Sequence, residues 1–425
     1  MRDYLLLAIV FGSIPFILMR PWIGVLMWTW IGLMNPHLAT WGIAKAFPVA
    51  KTVGLTALVA LFLDSNRKPV PWNKSLILMA LMFIMFIITS TTAWMPQNAF
   101  YKLILVFKIF LMMFVSTMLI YGKYRVRIFF LIIALSIGFY GIKGGVFSLA
   151  TGGQFRVWGP GNSFIGDNNS MGLALNMILP LFVFMPREES NRYLRMGLRC
   201  SAPLIAIAAL FTYSRGALLG LCVVCVFMFP KLKQKALVVF LLIPLILYGI
   251  TKIPDKYFNR AETIGTYEQD KSAMTRLQAW SVAWNIAIDR PLTGAGFDFN
   301  TGSEYRWLSY SAHKFLAMGY DTSRAAHSIY FQILGDHGFI GLFLFLSLLF
   351  FTMYDLRRIR KQAVVIESKK WIANYALPLE IGLWGYIVSG AFLSLAYFDL
   401  FYCYVGAAAI LQRELYTNSE NIGEN

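Results

Sequence analysis

Apolar runs follow one another along this chain, separated by short polar connections. They fall at roughly residues 4–35, 43–63, 74–93, 99–120, 127–149, 168–186, 200–213, 215–229, 235–252, 328–354, 371–394 and 397–412. Most have the length of a helix that crosses a bilayer. Apolar residues are continuous within each run, without the two-residue alternation of a membrane β-barrel. The pattern predicts an all-α polytopic membrane protein of about twelve transmembrane helices, with 4–35 counted as one or two passes. The first run follows Arg2 as a signal peptide would. No small-residue cleavage site closes it, and it continues through Arg20 and Pro21 into further apolar sequence, so it is read as part of the mature fold.

The connections set the expected orientation. DSNRKPVPWNK, YGKYRVR, PREESNRYLRMGLR, PKLKQK and DLRRIRKQ are basic and alternate with connections poor in Lys and Arg. By the positive-inside rule the basic set is cytoplasmic, and the C-terminus with it. The one long connection then lies outside. The expected organisation is a first part of a transmembrane bundle (1–252), an outer loop domain (253–326), the last part of the bundle (327–412) and a cytoplasmic tail (413–425). The loop carries eight Lys/Arg and eight Asp/Glu, which cancel. The formal net charge of +17 belongs to the basic connections and their anionic headgroups, and calls for no nucleic acid. Of the four cysteines, Cys222 and Cys225 lie in an apolar CVVC run and are read as helix packing residues, without a disulfide.

Residues 200–229 are basic at both flanks and interrupted by TYSRG. Two short spans keep both flanks on one side. Each is roughly 15 residues, or about 22 Å of helix, less than the hydrocarbon thickness. Their junction at Ser214–Arg215 is therefore expected to be recessed, in a water-filled cavity open to the outside. An arginine there costs several kcal/mol unless it meets a cavity or a partner, so Arg215 is expected to be functional.

A second arginine, Arg276, lies in SAMTRLQAWSVAWNIAIDRP, which has Ser272 as a candidate N-cap and Pro291 as terminator. Leu277, Trp280, Trp284 and Ile288 repeat at helical spacing, so this helix is expected on the outer surface with its aromatic face toward the membrane. Arg276 shares that face; recognition of a lipid-borne anion and snorkelling to headgroup phosphate both remain open. His327 opens the next apolar run, where an imidazole suits a general base; a histidine satisfied by a backbone carbonyl is the ordinary alternative. His337, ten residues on, is about 15 Å deeper if the run is helical. With Asp336 it reads as a structural polar pair holding helices together. The Gly/Asn-rich segment 152–170, with Arg156, Asn168 and Asn169, offers polar groups for a sugar site, although such a composition is also that of an ordinary loop. Ser214, Trp280 and Trp284 complete the candidate substrate contacts. No metal constellation and no Walker, HExxH or GxGxxG motif occurs, so neither metal nor cofactor is expected.

Three of these segments together resemble the bacterial O-antigen ligase and polymerase superfamily. HSIYFQILGDHGFIG (327–341) fits its pattern of His, then Asn, Ser or Gln, nine residues, Gly, two residues, Gly. TYSRGALLGL is similar to its SRG segment, and TRLQAWSVAWNIAIDRPLTGAGFDFN to its R…W…P…GxG segment. The matches stand in the family's order over roughly 200–345. Segment 141–170 further resembles the O-glycosylation ligase subgroup found with exosortase systems. Asp336 departs from the family, where Glu is common.

The resemblance implies a glycosyltransferase of the GT-C type in the bacterial inner membrane, with its active site facing the periplasm. The donor would be a glycan on undecaprenyl pyrophosphate, and the acceptor a sugar hydroxyl of lipid A–core. Arg215 and Arg276 would stabilise the pyrophosphate leaving group and His327 would be the general base, giving metal-independent transfer with inversion. An O-antigen polymerase or a protein O-oligosaccharyltransferase shares that donor. A transporter or flippase for a lipid-linked sugar is the non-enzyme alternative, although no internal repeat supports it.

Overall fold

The computed structural model describes residues 1–232, 235, 271–301 and 303–417, and the regular structure among them is entirely helical. The apolar runs become α1 (Arg2–Met19), α2 (Trp22–Met34), α3 (Val49–Leu63), α4 (Lys74–Thr91), α5 (Pro96–Leu119), α6 (Gly122–Ala150), α7 (Asn168–Phe184), α8 (Arg192–Leu210) and α9 (Arg215–Met228). After the undescribed stretch come α10 (Lys271–Asp289), α11 (Ile329–Val365), α12 (Lys370–Gly390) and α13 (Asp399–Tyr416). Among the described residues seven helices are long and apolar enough to cross a membrane: α1, α4, α5, α6, α7, α8 and α11. α2 and α3 are shorter apolar helices. The expected run at 235–252 lies outside the described residues.

Several boundaries differ from the hydropathy pattern. Run 4–35 is two helices, α1 and α2, turned at Arg20–Pro21. The carboxylate of Asp3 accepts from the amides of Gly42 (2.9 Å) and Ala44 (3.1 Å), so the start of α1 returns to the connection after α2. The run expected from 200 is helical from Arg192, where Asn191 caps the Tyr193 and Leu194 amides. Charged residues hid those first two turns from a hydropathy reading. α13 runs on to Tyr416, into the segment expected as tail.

The basic connections gather at one end of the bundle. Arg127 pairs with Glu189 at 2.8 Å and Lys123 with Glu188 at 3.3 Å. Arg187 donates to the Lys231 carbonyl, Lys369 to that of Glu414, and Arg413 to those of Thr117 and Ile120. The opposite end joins the other connections: the Trp94 amide donates to the Ala295 carbonyl, the Val157 amide to the Phe211 carbonyl, and Asn168 Nδ2 to the Thr212 carbonyl. Between the two ends, α7 is buried along almost its whole length and packs against α12. Gly382 allows that approach, since a Cβ there would stand 2.5 Å from the Met177 carbonyl oxygen.

The 37-residue α11 is broken at Gly338, whose φ of 67° and ψ of −164° end one helical limb and start another. A break inside an apolar bundle strands backbone groups where water does not reach, at several kcal/mol each if unpaired. The loop after α10 fills the gap. The Ala295 amide donates to the Gly335 carbonyl and the Gly296 amide to that of Asp336, each at 2.9 Å, while the Phe339 amide donates to the Pro291 carbonyl at 2.9 Å. Gly294 sits at φ 59°, and a Cβ on it would lie 2.6 Å from the Gly335 oxygen. A Cβ on Gly338 would lie 2.5 Å from the Pro291 oxygen. Both positions therefore require glycine twice over, for conformation and for space.

Gly294→Ala and Gly338→Ala should each destabilise the protein by about 2 kcal/mol or more, from strain and displaced hydrogen bonds. Thermal unfolding in detergent checks this against Gly12→Ala, where a Cβ meets nothing within 4 Å and stability should hold or rise slightly.

Candidate functional site

His327 stands immediately before α11, at the end of the bundle opposite the basic connections. It is one of few residues other than glycine with positive φ, at 46°. Its amide donates to Ser394 Oγ at 2.8 Å, in the turn between α12 and α13. The preceding carbonyl, of Ala326, accepts from Trp280 Nε1 at 2.7 Å. The imidazole remains accessible, yet desolvation by the surrounding protein, and then the positive charge of Arg276, lower its pKa from the ordinary value; Asp167 opposes the shift and Arg324 adds to it. The imidazole is thus held in its neutral form near neutral pH, the form that accepts a proton.

Arg276 is part of that surrounding because α10 packs along the start of α11. Met274, Gln278, Ala279, Val282, Ala283, Ile286 and Ala287 face inward. The expectation of one outward aromatic face is corrected at Trp280. Its ring stacks on Phe331 of α11, with centroids 5.0 Å apart, and its N–H is spent on Ala326. Trp280 lies at the margin of the apolar face, where a large ring gains more by packing on α11. Leu277, Trp284 and Ile288 do remain exposed, with the Trp284 ring edge-on to Phe339. Ser272 is already inside the helix, so it is not the N-cap.

Arg215 is the first residue of α9, with an exposed side chain. Ser214 caps the helix, its buried Oγ accepting from the Ala217 amide at 3.2 Å. Tyr213, at φ 52°, makes the sharp entrance to the helix, and its hydroxyl donates to the Gly153 carbonyl. Asn168 is buried and holds the Thr212 carbonyl at 2.8 Å. Asp167 caps α7 through the amides of Asn169 and Ser170. The sequence pointed to Ser214 and Asn168 as substrate contacts; here both hold the backbone around Arg215. The Asn169 side chain is part-exposed and Arg156 is exposed, in the connection before α7.

The α12–α13 turn links the two halves. A Cβ on Gly216 would stand 3.0 Å from Phe392, so the start of α9 lies against this turn, two residues from the Ser394 that holds His327. Further along, the Ala396 amide donates to Gln332 Oε1 at 3.1 Å. The Tyr397 hydroxyl reaches both Asp336 Oδ2 (2.6 Å) and His337 Nε2 (2.8 Å). Asp336 Oδ1 also accepts from the Phe299 amide at 3.1 Å, and His337 Nδ1 meets Thr89 Oγ1 at 2.7 Å. Both side chains are fully enclosed, and their partners come from α4, the loop after α10 and the α12–α13 turn. They lie at the break of α11, apart from His327 at its head.

Sequence reasoning missed Ser394, Tyr397, Arg324 and Asp167. The signal for the first two was a polar pair in SGAFLSLAYFD, a connection free of Lys and Arg between two apolar runs. Arg324 and Asp167 carried no such signal, because charges in connections are ordinary.

Residues 200–346 match the family model described as O-antigen ligase. Residues 1–190 match a second model, described as a family of unknown function. No curated protein matches the chain. The O-antigen ligase match spans Arg215, Arg276, His327 and the break of α11. It ends before the α12–α13 turn on which three of these depend.

His327 should titrate below about 6.5, the ordinary histidine value. A nearby cation disfavours protonation, so Arg276→Gln should move its midpoint upward. Histidine NMR on selectively labelled protein in detergent reads both, and an unmoved midpoint would separate Arg276 from His327.

Proposed function

Residues 200–346 make this chain a member of the O-antigen ligase/polymerase superfamily, and from that premise we propose that it transfers a glycan from undecaprenyl pyrophosphate to a sugar hydroxyl of lipid A–core. The observation that carries the reading is one accessible histidine whose pKa is lowered by desolvation and by the charge of Arg276 and Arg324. A cationic helix start at Arg215 shares the turn that anchors it.

In this reading the acceptor hydroxyl oxygen forms a bond to the anomeric carbon as the bond from that carbon to the pyrophosphate oxygen breaks. His327 takes the hydroxyl proton, and undecaprenyl pyrophosphate leaves with the electron pair. Direct displacement inverts the anomeric centre. Arg276, with Arg215 at the N-terminus of α9, meets the charge that develops on the leaving group; oriented guanidinium and backbone N–H donors suit phosphate oxygens. The fold is then a polytopic glycosyltransferase of the GT-C type in the bacterial inner membrane, with the basic end cytoplasmic and the His327 end periplasmic.

Purified protein in detergent should extend lipid A–core from the undecaprenyl-pyrophosphate donor, and His327→Ala should not. Donor consumed with lipid A–core untouched would move the acceptor to a second glycan–lipid or to protein. No consumption by folded protein would overturn the enzymatic reading. Arg276→Lys should lose at least about tenfold in rate, because Lys does not reproduce a bidentate fork on phosphate. The rate should be unchanged by EDTA; inhibition restored by magnesium would refute charge stabilisation by arginine alone.

A further inference from the structure

We propose that Trp280 and Ser394 are positioning residues that hold one peptide unit, Ala326–His327, from both ends and thereby fix the direction of the imidazole. The proposal rests on His327 being the base. The carbonyl of this peptide accepts from Trp280 Nε1 at 2.7 Å, and its N–H donates to Ser394 Oγ at 2.8 Å. The two partners come from different elements, 46 residues before Ala326 and 67 residues after His327. Rotation of the peptide plane would break both bonds at once. That restraint matters because His327 sits at φ 46°, a conformation disfavoured for any residue with a Cβ. Such a backbone persists only where its surroundings over-determine it.

The clamp is itself fixed. Trp280 is stacked on Phe331 with ring planes 8° apart, so its N–H direction is set by packing. It also lies one helical turn beyond Arg276. The bond that holds the histidine's peptide therefore also fixes how α10 presents the cation to the base. The start of α11 does not depend on the clamp for its attachment. The Tyr330 hydroxyl donates to the Ile387 carbonyl at 2.9 Å, and Gln332 accepts from the Ala396 amide. The two bonds are thus free to serve the orientation of one side chain, where an error of about 1 Å is enough to cost about a hundredfold in rate.

Trp280→Phe keeps a ring to stack on Phe331 and removes the N–H; Ser394→Ala removes the acceptor. Each should lower kcat for glycan transfer by about tenfold or more while the donor KM stays within about twofold. The double variant should be little worse than the more damaging single one, because both act on one peptide. Ser394→Thr should restore most of kcat. In both single variants the acid limb of the pH–rate profile should shift as the imidazole leaves its place beside Arg276, which loss of stability alone would not cause. If Trp280→Phe fails to fold, Ser394→Ala and Ser394→Thr carry the test. An inactive His327→Ala with wild-type kcat in Trp280→Phe and Ser394→Ala overturns the clamp and leaves the base standing. An active His327→Ala overturns the base, and the clamp with it.

Discussion

A helix broken inside an apolar bundle must find partners for the backbone groups that it releases, and in this protein much of the site follows from how that is done. At Gly338 the amides of Ala295 and Gly296 take the freed carbonyls, and the Pro291 carbonyl takes the amide of Phe339. Water does not supply such partners at membrane depth, so the loop 290–299 is bound to the break by the cost of leaving it. Anchoring that loop lays α10 along the first limb of α11. The same contact brings Trp280 to the Ala326 carbonyl and Arg276 into the surroundings of His327.

The buried polar cluster belongs to this constraint. Asp336 and His337 lie directly before Gly338, where the chain changes direction. Tyr397, Thr89 and the Phe299 amide satisfy them completely enough for both to be enclosed. Their hydrogen bonds reach α4, the loop after α10 and the α12–α13 turn, so they cross the joint. Polar residues in one apolar run thus divide by position. His327 at its head is accessible, and the pair at its break ties segments together.

The α12–α13 turn does for the other side what the loop does for the break. Phe392 meets the start of α9, Ser394 holds His327, the Ala396 amide meets Gln332, and Tyr397 meets the pair at the break. A connection of a few residues therefore registers α9 and the first limb of α11 against one another. Shortening or re-angling it would move Arg215 relative to His327 without altering either side chain.

The helical class, the apolar spans, the gathering of basic connections and the interruption at Ser214–Arg215 were legible in the linear pattern, because hydropathy, charge and helix breaks are local properties. Arg215 stood out there as a charge between two apolar runs. The first two turns of α8 were not legible, because their charges disguise a helix. Nor were the partners of Ser214, Asn168 and Trp280, which are Ala217, Thr212 and Ala326. Periodicity tells which face a residue occupies, but not which helix will lie against it. What the sequence by itself determined is where helices form and which residues are costly to bury. Only the tertiary structure decided which of those residues share a wall, because Trp280, His327 and Ser394 are brought together by helix packing that no local pattern encodes.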